Sequence, residues 1–192
     1  YAVAEDPIDA MFFIAAAAST HSALTIRRVP IEFLEVELVV LEKMGLIFKL
    51  EDAGLAKNGI TKLADIHIEP STLVAFPEKI HPRPYPGLNI DCLPFFAVIA
   101  TQAEGTTLIH DWVFEHRAIY YVELEKLGAQ VLLFDPHRVQ ITGPSHLRGA
   151  ELMCPAALRP ATVLLIGMLA SEGKSKLRNI YMINRGYDDL VL

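Results

Sequence analysis

Four charged residues carry the chemical signal of this 192-residue chain: Asp91, Arg117, Arg159 and Arg185. They are set out around a phrase that occurs twice. Ala103-Glu104-Gly105-Thr106-Thr107-Leu108 is followed by Arg117 thirteen residues past its Glu, and Ser171-Glu172-Gly173-Lys174-Ser175-Lys176 by Arg185 at the same distance. Asp91 and Arg159 stand thirteen residues before Glu104 and Glu172. One carboxylate and three guanidiniums suit an anionic substrate, because Arg forks grip phosphate or carboxylate at two points and a neighbouring carboxylate can take a proton. Taken singly, Asp91 reads as a helix N-cap and each Arg as a surface group. Their recurrence argues otherwise. Asp91 lies three residues before Pro94, farther than a cap sits from a first-turn proline. A cation at Arg159, where an apolar helix begins, opposes the helix dipole and calls for an anion nearby.

The elements that must position these groups are legible in outline. An apolar helix over residues 94–103 runs about 15 Å away from Asp91, at 1.5 Å per residue. A strand over residues 106–111 returns by about 20 Å, at roughly 3.3 Å per residue. Asp91 and Arg117 are thereby expected at one end of the domain, with Arg159 and Arg185 repeating the layout.

A more diverged copy precedes these two. Leu41-Glu42-Lys43-Met44-Gly45 matches Leu124-Glu125-Lys126-Leu127-Gly128 at an offset of 83 residues, and the same offset puts Ile26 on Ile109. The Gly closing each phrase is a helix stop. Strands follow at residues 47–50 and 131–134, and Asp135-Pro136-His137-Arg138 has turn chemistry before a further strand over 139–142. The unit is βαβαββ-like. One domain is expected, an α/β (α+β) fold of three such repeats at about residues 1–75, 76–145 and 146–192. Its Ala- and Leu-rich helices, apolar on nearly every face, belong inside with sheets around them. A Pro-rich stretch over 76–87 joins the first two copies and either positions Asp91 or simply lies exposed.

Composition narrows the function. A chain 52% hydrophobic and 21% charged builds a sizeable core, and a net charge of −6 disfavours nucleic acid as a partner. The longest apolar stretches, residues 10–19 and 162–170, are short of a membrane span. Cys92 and Cys154 have no CxxC spacing, and with no export signal in view a reduced, cytoplasmic location is expected. Cys92 reads as a buried filler rather than a reactive thiol, and Trp112 as packing. His110, His116, His137 and His146 lack metal-ligand spacing, and no P-loop, GxGxxG or GxSxG is present, so neither a metal nor a cofactor is expected. The start at Tyr1 rather than Met, and Tyr187-Asp188-Asp189-Leu190-Val191-Leu192 at the point where earlier copies begin a helix, are expected of a processed product or a piece of a longer chain.

At these residues the chain resembles a family. Asp91, Ala103-Glu104-Gly105-Thr106, Val113-Phe114-Glu115-His116-Arg117, Leu124-Glu125-Lys126-Leu127-Gly128-Ala129, Leu158-Arg159 and Arg185-Gly186-Tyr187 are similar, in order and spacing, to the UDP-N-acetylglucosamine 1-carboxyvinyltransferases (MurA) among the enolpyruvyl transferases. The likeness is strong over residues 91–187 and weaker but continuous before them. It implies an inside-out α/β barrel domain of three repeats, one of two that close on substrate. The implied reaction moves an enolpyruvyl group from phosphoenolpyruvate to the 3′-hydroxyl of UDP-N-acetylglucosamine and releases phosphate, the first committed step of peptidoglycan synthesis.

On that resemblance Asp91 contacts the sugar hydroxyl as a general base, Val113 offers a backbone contact to the same substrate, and Arg117, Arg159 and Arg185 surround the enolpyruvyl and phosphate groups. The family's general acid, on a mobile loop of the other domain, and its Lys-Asn pair have no counterpart here. The implied partners are the two small substrates and that other domain, without which this chain is expected to be inactive. Three positions depart from the family pattern: Ala157 and Asn184 replace acids, and His116 replaces Asn. Losing two acids beside the Arg residues leaves two further readings open, transfer to another acceptor such as shikimate 3-phosphate or a nucleotide, and a non-catalytic paralogue that binds a nucleotide sugar or a protein.

Overall fold

The computed structural model describes residues 2–187 and 190. Its elements run α1 (Pro7–Ser19), β1 (Leu24–Pro30), α2 (Glu35–Lys43), β2 (Ile47–Leu55), β3 (Lys62–Glu69), α3 (Leu93–Ala100), β4 (Gly105–His110), a 3-10 helix (Arg117–Leu127), β5 (Gln130–Asp135), β6 (Arg138–Gly143), β7 (Glu151–Met153), α4 (Leu158–Leu169), β8 (Lys176–Arg178) and α5 (Tyr181–Gly186). Tyr187 is described, whereas Asp188, Asp189, Val191 and Leu192 of the closing stretch lie outside the described residues.

All eight residues of α3 are buried, and that dictates the architecture. A helix apolar all round has to sit among other elements. The helices α1, α3 and α4 pack against one another, and the sheets lie on the outside of that trio. Local chemistry starts α1 cleanly: the Asp6 carboxylate accepts from the Ile8 N–H at 2.7 Å, and Pro7 occupies the first turn.

Two units have the same build. The helix, strand, helix and paired strands of residues 7–69 make an antiparallel sheet ordered β1-β3-β2, and those of residues 93–143 one ordered β4-β6-β5. Gly45 and Gly128, at φ +92° and +99°, close the second helix of each, a conformation that favours glycine. The β5–β6 hairpin turns at Pro136 and His137, where the Asp135 carboxylate accepts from the backbone N–H groups of His137 and Arg138 at 2.9 Å.

The repeated Glu-Gly phrase has a structural task. Glu104 donates its N–H to the Leu73 carbonyl and accepts from the Ala75 N–H, both at 2.8 Å. Glu172 does the same with Leu147 at 3.0 Å and Gly149 at 2.7 Å. Each Glu thus bridges in parallel to the segment that precedes its unit's first helix. In the middle unit that segment continues along β4 through a second bridge, Ile80 to Ile109. In the third, β7 pairs in parallel with β8 over Glu151↔Lys176, Leu152↔Leu177 and Met153↔Arg178. These are the leading strands of the βαβαββ pattern. The Pro-rich stretch is therefore held at Ile80, between exposed segments at Pro77 to Lys79 and Arg83 to Pro86.

The helix expected before Gly128 forms as a 3-10 helix of 11 residues. Its buried side chains, Ala118, Tyr121, Leu124 and Leu127, recur every third residue after Arg117, which is the 3-10 period. Trp112 is half-exposed rather than packed in the core, because it sits past the end of β4, where its Nε1–H donates to the Pro82 carbonyl at 3.1 Å. No helix of the described residues is long and apolar enough to cross a membrane.

Candidate active site

The end of β4 and the start of the 3-10 helix build the centre of the site. Asp111 follows the last residue of β4 and is completely buried. Its backbone is fixed by the β6 side of the hairpin: the Asp111 N–H donates to the His137 carbonyl at 2.7 Å, and His137 Nδ1 lies 3.0 Å from the Asp111 carbonyl. Its carboxylate takes Arg117 in two-point fashion, Nε to Oδ2 at 2.5 Å and Nη2 to Oδ1 at 3.0 Å, while the Tyr121 hydroxyl donates to Oδ2 at 2.7 Å. Arg117 Nη2 also donates to the Ile90 carbonyl at 2.7 Å. The Phe114 ring lies 4.5 Å from the guanidinium carbon. Burial and the Asp111 charge push the Tyr121 phenol well above its ordinary value, so it stays a donor.

Arg117 thus has one direction left. Its Nη1 faces Asp91 Oδ1 at 3.5 Å. Asp91 is not a cap: Cys92 occupies the N-cap position of α3, and no side chain bonds to that helix start. The Asp91 carboxylate, 37% exposed, is left for the pocket. Arg159 sits in the first turn of α4, whose N-cap, Ala157, contributes no side-chain hydrogen bond.

A pocket of about 380 Å³ brings together Asp91, Arg117 and Arg159, with Ala157, Phe114 and Tyr120 in its wall. Val113 lines a separate, larger cavity of about 510 Å³ with Ile90, Trp112, Tyr85 and Phe33. The two cavities share a wall, since Ile90 and Val113 adjoin Asp91 and Phe114 in the chain. Arg185 is exposed on α5, its Nη1 4.0 Å from Met182 Sδ, and does not line the pocket. It remains next door, because a Cβ on Gly186 would lie 2.4 Å from the Leu158 side chain in the pocket wall.

Asp111 and Tyr121 are the site residues that the sequence reading missed. Their signal was present: an Asp closing an apolar strand, an Arg six residues later, and a Tyr at the buried step of a three-residue period. Cys92 is fully buried, and burial together with the Glu37 charge raises its thiol well above the ordinary value. It is no nucleophile or proton donor for the pocket. Burial also raises Cys154. Among the described residues no group of three or more His, Cys, Asp or Glu could hold a metal ion.

Helices enclosed by small sheets, with two guanidiniums and a carboxylate converging on one pocket, define an α/β domain equipped to bind an anion. The chain belongs to the EPSP synthase (3-phosphoshikimate 1-carboxyvinyltransferase) family, whose model matches residues 1–191. The UDP-N-acetylglucosamine 1-carboxyvinyltransferase of Treponema denticola is 36% identical over 179 residues, 93% of this chain and 41% of the relative. That of Bacteroides fragilis is 35% identical over 193 residues, 99% of this chain and 43% of the relative. Among solved structures, the enolpyruvyl transferase NikO from Streptomyces tendae superposes with a TM-score of 0.79 at 28% identity, over 98% of this chain and 42% of its own. An EPSP synthase from Acinetobacter baumannii shares the fold with a TM-score of 0.77 at 22% identity, over 96% of this chain and 43% of its own. The chain spans less than half the length of the relatives it matches.

Proposed function

We propose that this chain is one domain of an enolpyruvyl transferase that moves the enolpyruvyl group of phosphoenolpyruvate to the 3′-hydroxyl of UDP-N-acetylglucosamine, in the cytoplasm. The observation that carries this reading is the convergence of Asp91, Arg117 and Arg159 on one pocket, in a chain about 35% identical to enzymes of that name over nearly its whole length. The domain is read as three repeated units with boundaries near residues 75 and 145, the arrangement that the two like sheets and the two Glu bridges support.

In this reaction the acceptor hydroxyl adds across the enol double bond. Its oxygen bonds to C2, its proton leaves, and a proton is delivered to C3; the tetrahedral adduct then loses phosphate and a C3 proton to give the enolpyruvyl ether. Asp91 takes the hydroxyl proton, a role supported by its carboxylate lining the pocket and not serving as a cap. Arg159 and the Nη1 of Arg117, which faces Asp91 across the pocket, hold the phosphate and carboxylate and stabilise the charge of the adduct. Arg185 joins them from α5, and Val113 offers its backbone from the neighbouring cavity. On the family resemblance the proton for C3 comes from the other domain of the enzyme, and among the described residues neither Cys92 nor Cys154 lines the pocket.

Ala157 favours one second reading. A methyl group stands in the pocket wall where the resembled family has an acid, which suits a different acceptor, a nucleotide or shikimate 3-phosphate. Phosphate release from phosphoenolpyruvate by the full-length protein, measured with UDP-N-acetylglucosamine, UMP and shikimate 3-phosphate in parallel, decides between them. Release with the nucleotide sugar alone is the expected result. Release only with another acceptor replaces the leading reading with the second, and binding of the nucleotide sugar with no release under any acceptor would make the protein a non-catalytic paralogue. Turnover by the 192-residue chain alone would refute the assignment of the proton donor to the other domain.

A further inference from the structure

Glu37 is a carboxylate in the wrong place for an ordinary helix. It lies in the first turn of α2 and is only 1% exposed. Among the described residues no Lys, Arg or His pairs with it. Burial raises its carboxyl above the usual carboxylate range. A fold keeps an unpaired acid in its interior only where the acid's hydrogen bonds hold something.

What it holds is the loop of Asp91. The Glu37 carboxylate accepts from the Asn89 N–H at 2.7 Å, and the Asn89 side-chain oxygen accepts from the Asp91 N–H at 2.8 Å. Ile90, between them, gives its carbonyl to Arg117 Nη2 at 2.7 Å. Two ties of this loop thus lead back to Glu37 and a third to Arg117, beside the Asn89 carbonyl's own bonds from the Cys92 and Leu93 N–H groups at 3.1 Å. Repeat geometry explains why the tie comes from α2. Position 37 of the first unit corresponds, at the offset of 83, to Tyr120 of the second. Tyr120 lines one pocket with Ala157, Leu158 and Arg159, the residues that lead into α4, as Glu37 bonds to the residues that lead into α3. At both junctions the second helix of one unit sends a side chain to the loop before the next unit's first helix.

We propose that Glu37 is a positioning residue that sets the Asp91 carboxylate against the acceptor hydroxyl through Asn89, an inference that rests on the role given to Asp91 above. The step from Glu37 to Asp91 crosses from the first unit to the second, so the first unit contributes to the chemistry without touching substrate.

The test uses the full-length protein and three variants: Glu37→Met, which keeps volume and removes the acceptor; Glu37→Gln, which keeps the acceptor; and Asn89→Ala, which breaks the second link without altering the core. Misplacing a reacting group by about 1 Å costs up to about 100-fold. Glu37→Met and Asn89→Ala should lower kcat by about tenfold or more with the KM for phosphoenolpyruvate unchanged. Glu37→Gln should restore kcat to within about twofold of the wild type. Native-state hydrogen exchange at the Asp91 amide should quicken in Glu37→Met and Asn89→Ala only. Unchanged kcat and unchanged exchange in Asn89→Ala overturn the proposal even if Glu37→Met fails to fold. A KM rise with kcat intact also overturns it. Absence of turnover in the wild type with every acceptor would instead sink the functional reading, and the Asp91 amide exchange would still decide whether Glu37 and Asn89 hold that residue.

Discussion

Leu34 and Arg117 occupy corresponding places in two copies of one unit, 83 residues apart, and the fold treats them oppositely. Both open the second helix of their unit, and both are buried, Leu34 completely and Arg117 to 7% exposure. Leu34 belongs to the hydrophobic core. Arg117 is admitted because Asp111 waits for it at the end of β4, with Tyr121 as a further donor. The first unit has Arg28 at the place of Asp111 and Leu38 at the place of Tyr121. Arg28 turns outward at φ +60° and pairs with Glu5. One backbone plan thus carries either an apolar plug or a charged network, and what separates them is whether acid, cation and phenol arrive together. The first unit contributes stability and one tie to the Asp91 loop; the second carries the charged centre of the site.

Breaking the comparison from the apolar side has the largest expected effect. Leu34→Arg puts a cation where no acid waits, and its cost, about 5 kcal/mol or more, is comparable to the whole stability of a typical domain. Far-UV circular dichroism against urea should show no cooperative transition, and an unchanged midpoint would mean that the two places are not equivalent in burial. From the charged side, Asp111→Ala leaves Arg117 buried without its counter-ion and should cost about 3–5 kcal/mol in urea unfolding. The double variant Asp111→Leu with Arg117→Leu imitates the first unit and should recover a large part of that loss. Strictly additive costs would show that the two side chains do not depend on each other.

A smaller difference is expected at the paired helix stops. Gly45→Ala and Gly128→Ala each force a side chain into positive φ, at about 1–2 kcal/mol. Gly45→Ala should be the worse, since its Cβ would lie 2.8 Å from the Thr72 carbonyl oxygen, against 3.2 Å from the His146 carbonyl oxygen at Gly128. Equal shifts in midpoint would remove that distinction.

The smallest effect is a pH slope. Position 37 holds a carboxyl raised by burial, and its counterpart is Tyr120. The folded state binds the Glu37 proton more tightly than the unfolded state does, so the stability from this group is full below the ordinary Glu value, about 4.3, and is lost as pH rises through the raised folded value. Glu37→Gln should flatten that part of the stability curve while keeping the Asn89 bond. An identical slope in wild type and variant would assign the titration to other groups.

Helix cores and strand alternation were readable because they depend on neighbours in sequence. The helix expected over residues 94–103 spans Leu93–Ala100, and the strand over 139–142 lies within Arg138–Gly143. Apolar runs of that kind leave the chain little choice of location. The type of the helix before Gly128 was not legible, because Leu124-Glu125-Lys126-Leu127 fits either period and only the burial of Ala118 and Tyr121 separates them. Trp112, expected as packing, is held at the rim of a cavity by its place past the end of β4. Asp91, Arg117 and Arg159 could be singled out from their spacing, and they share a pocket.

The sequence by itself determined the units, the stops between their elements and the charged residues worth watching, because periodicity, glycine placement and repeat spacing are local or internal to the chain. Which partner each charge takes was a tertiary decision. Nothing in the spacing showed that Asp111 neutralises Arg117, that Glu37 reaches 52 residues ahead to the Asn89 amide, or that Arg185 stays on the surface of α5. A hydrogen bond depends on fractions of an ångström between groups that only folding brings together, and a buried charge survives only beside the group that compensates it.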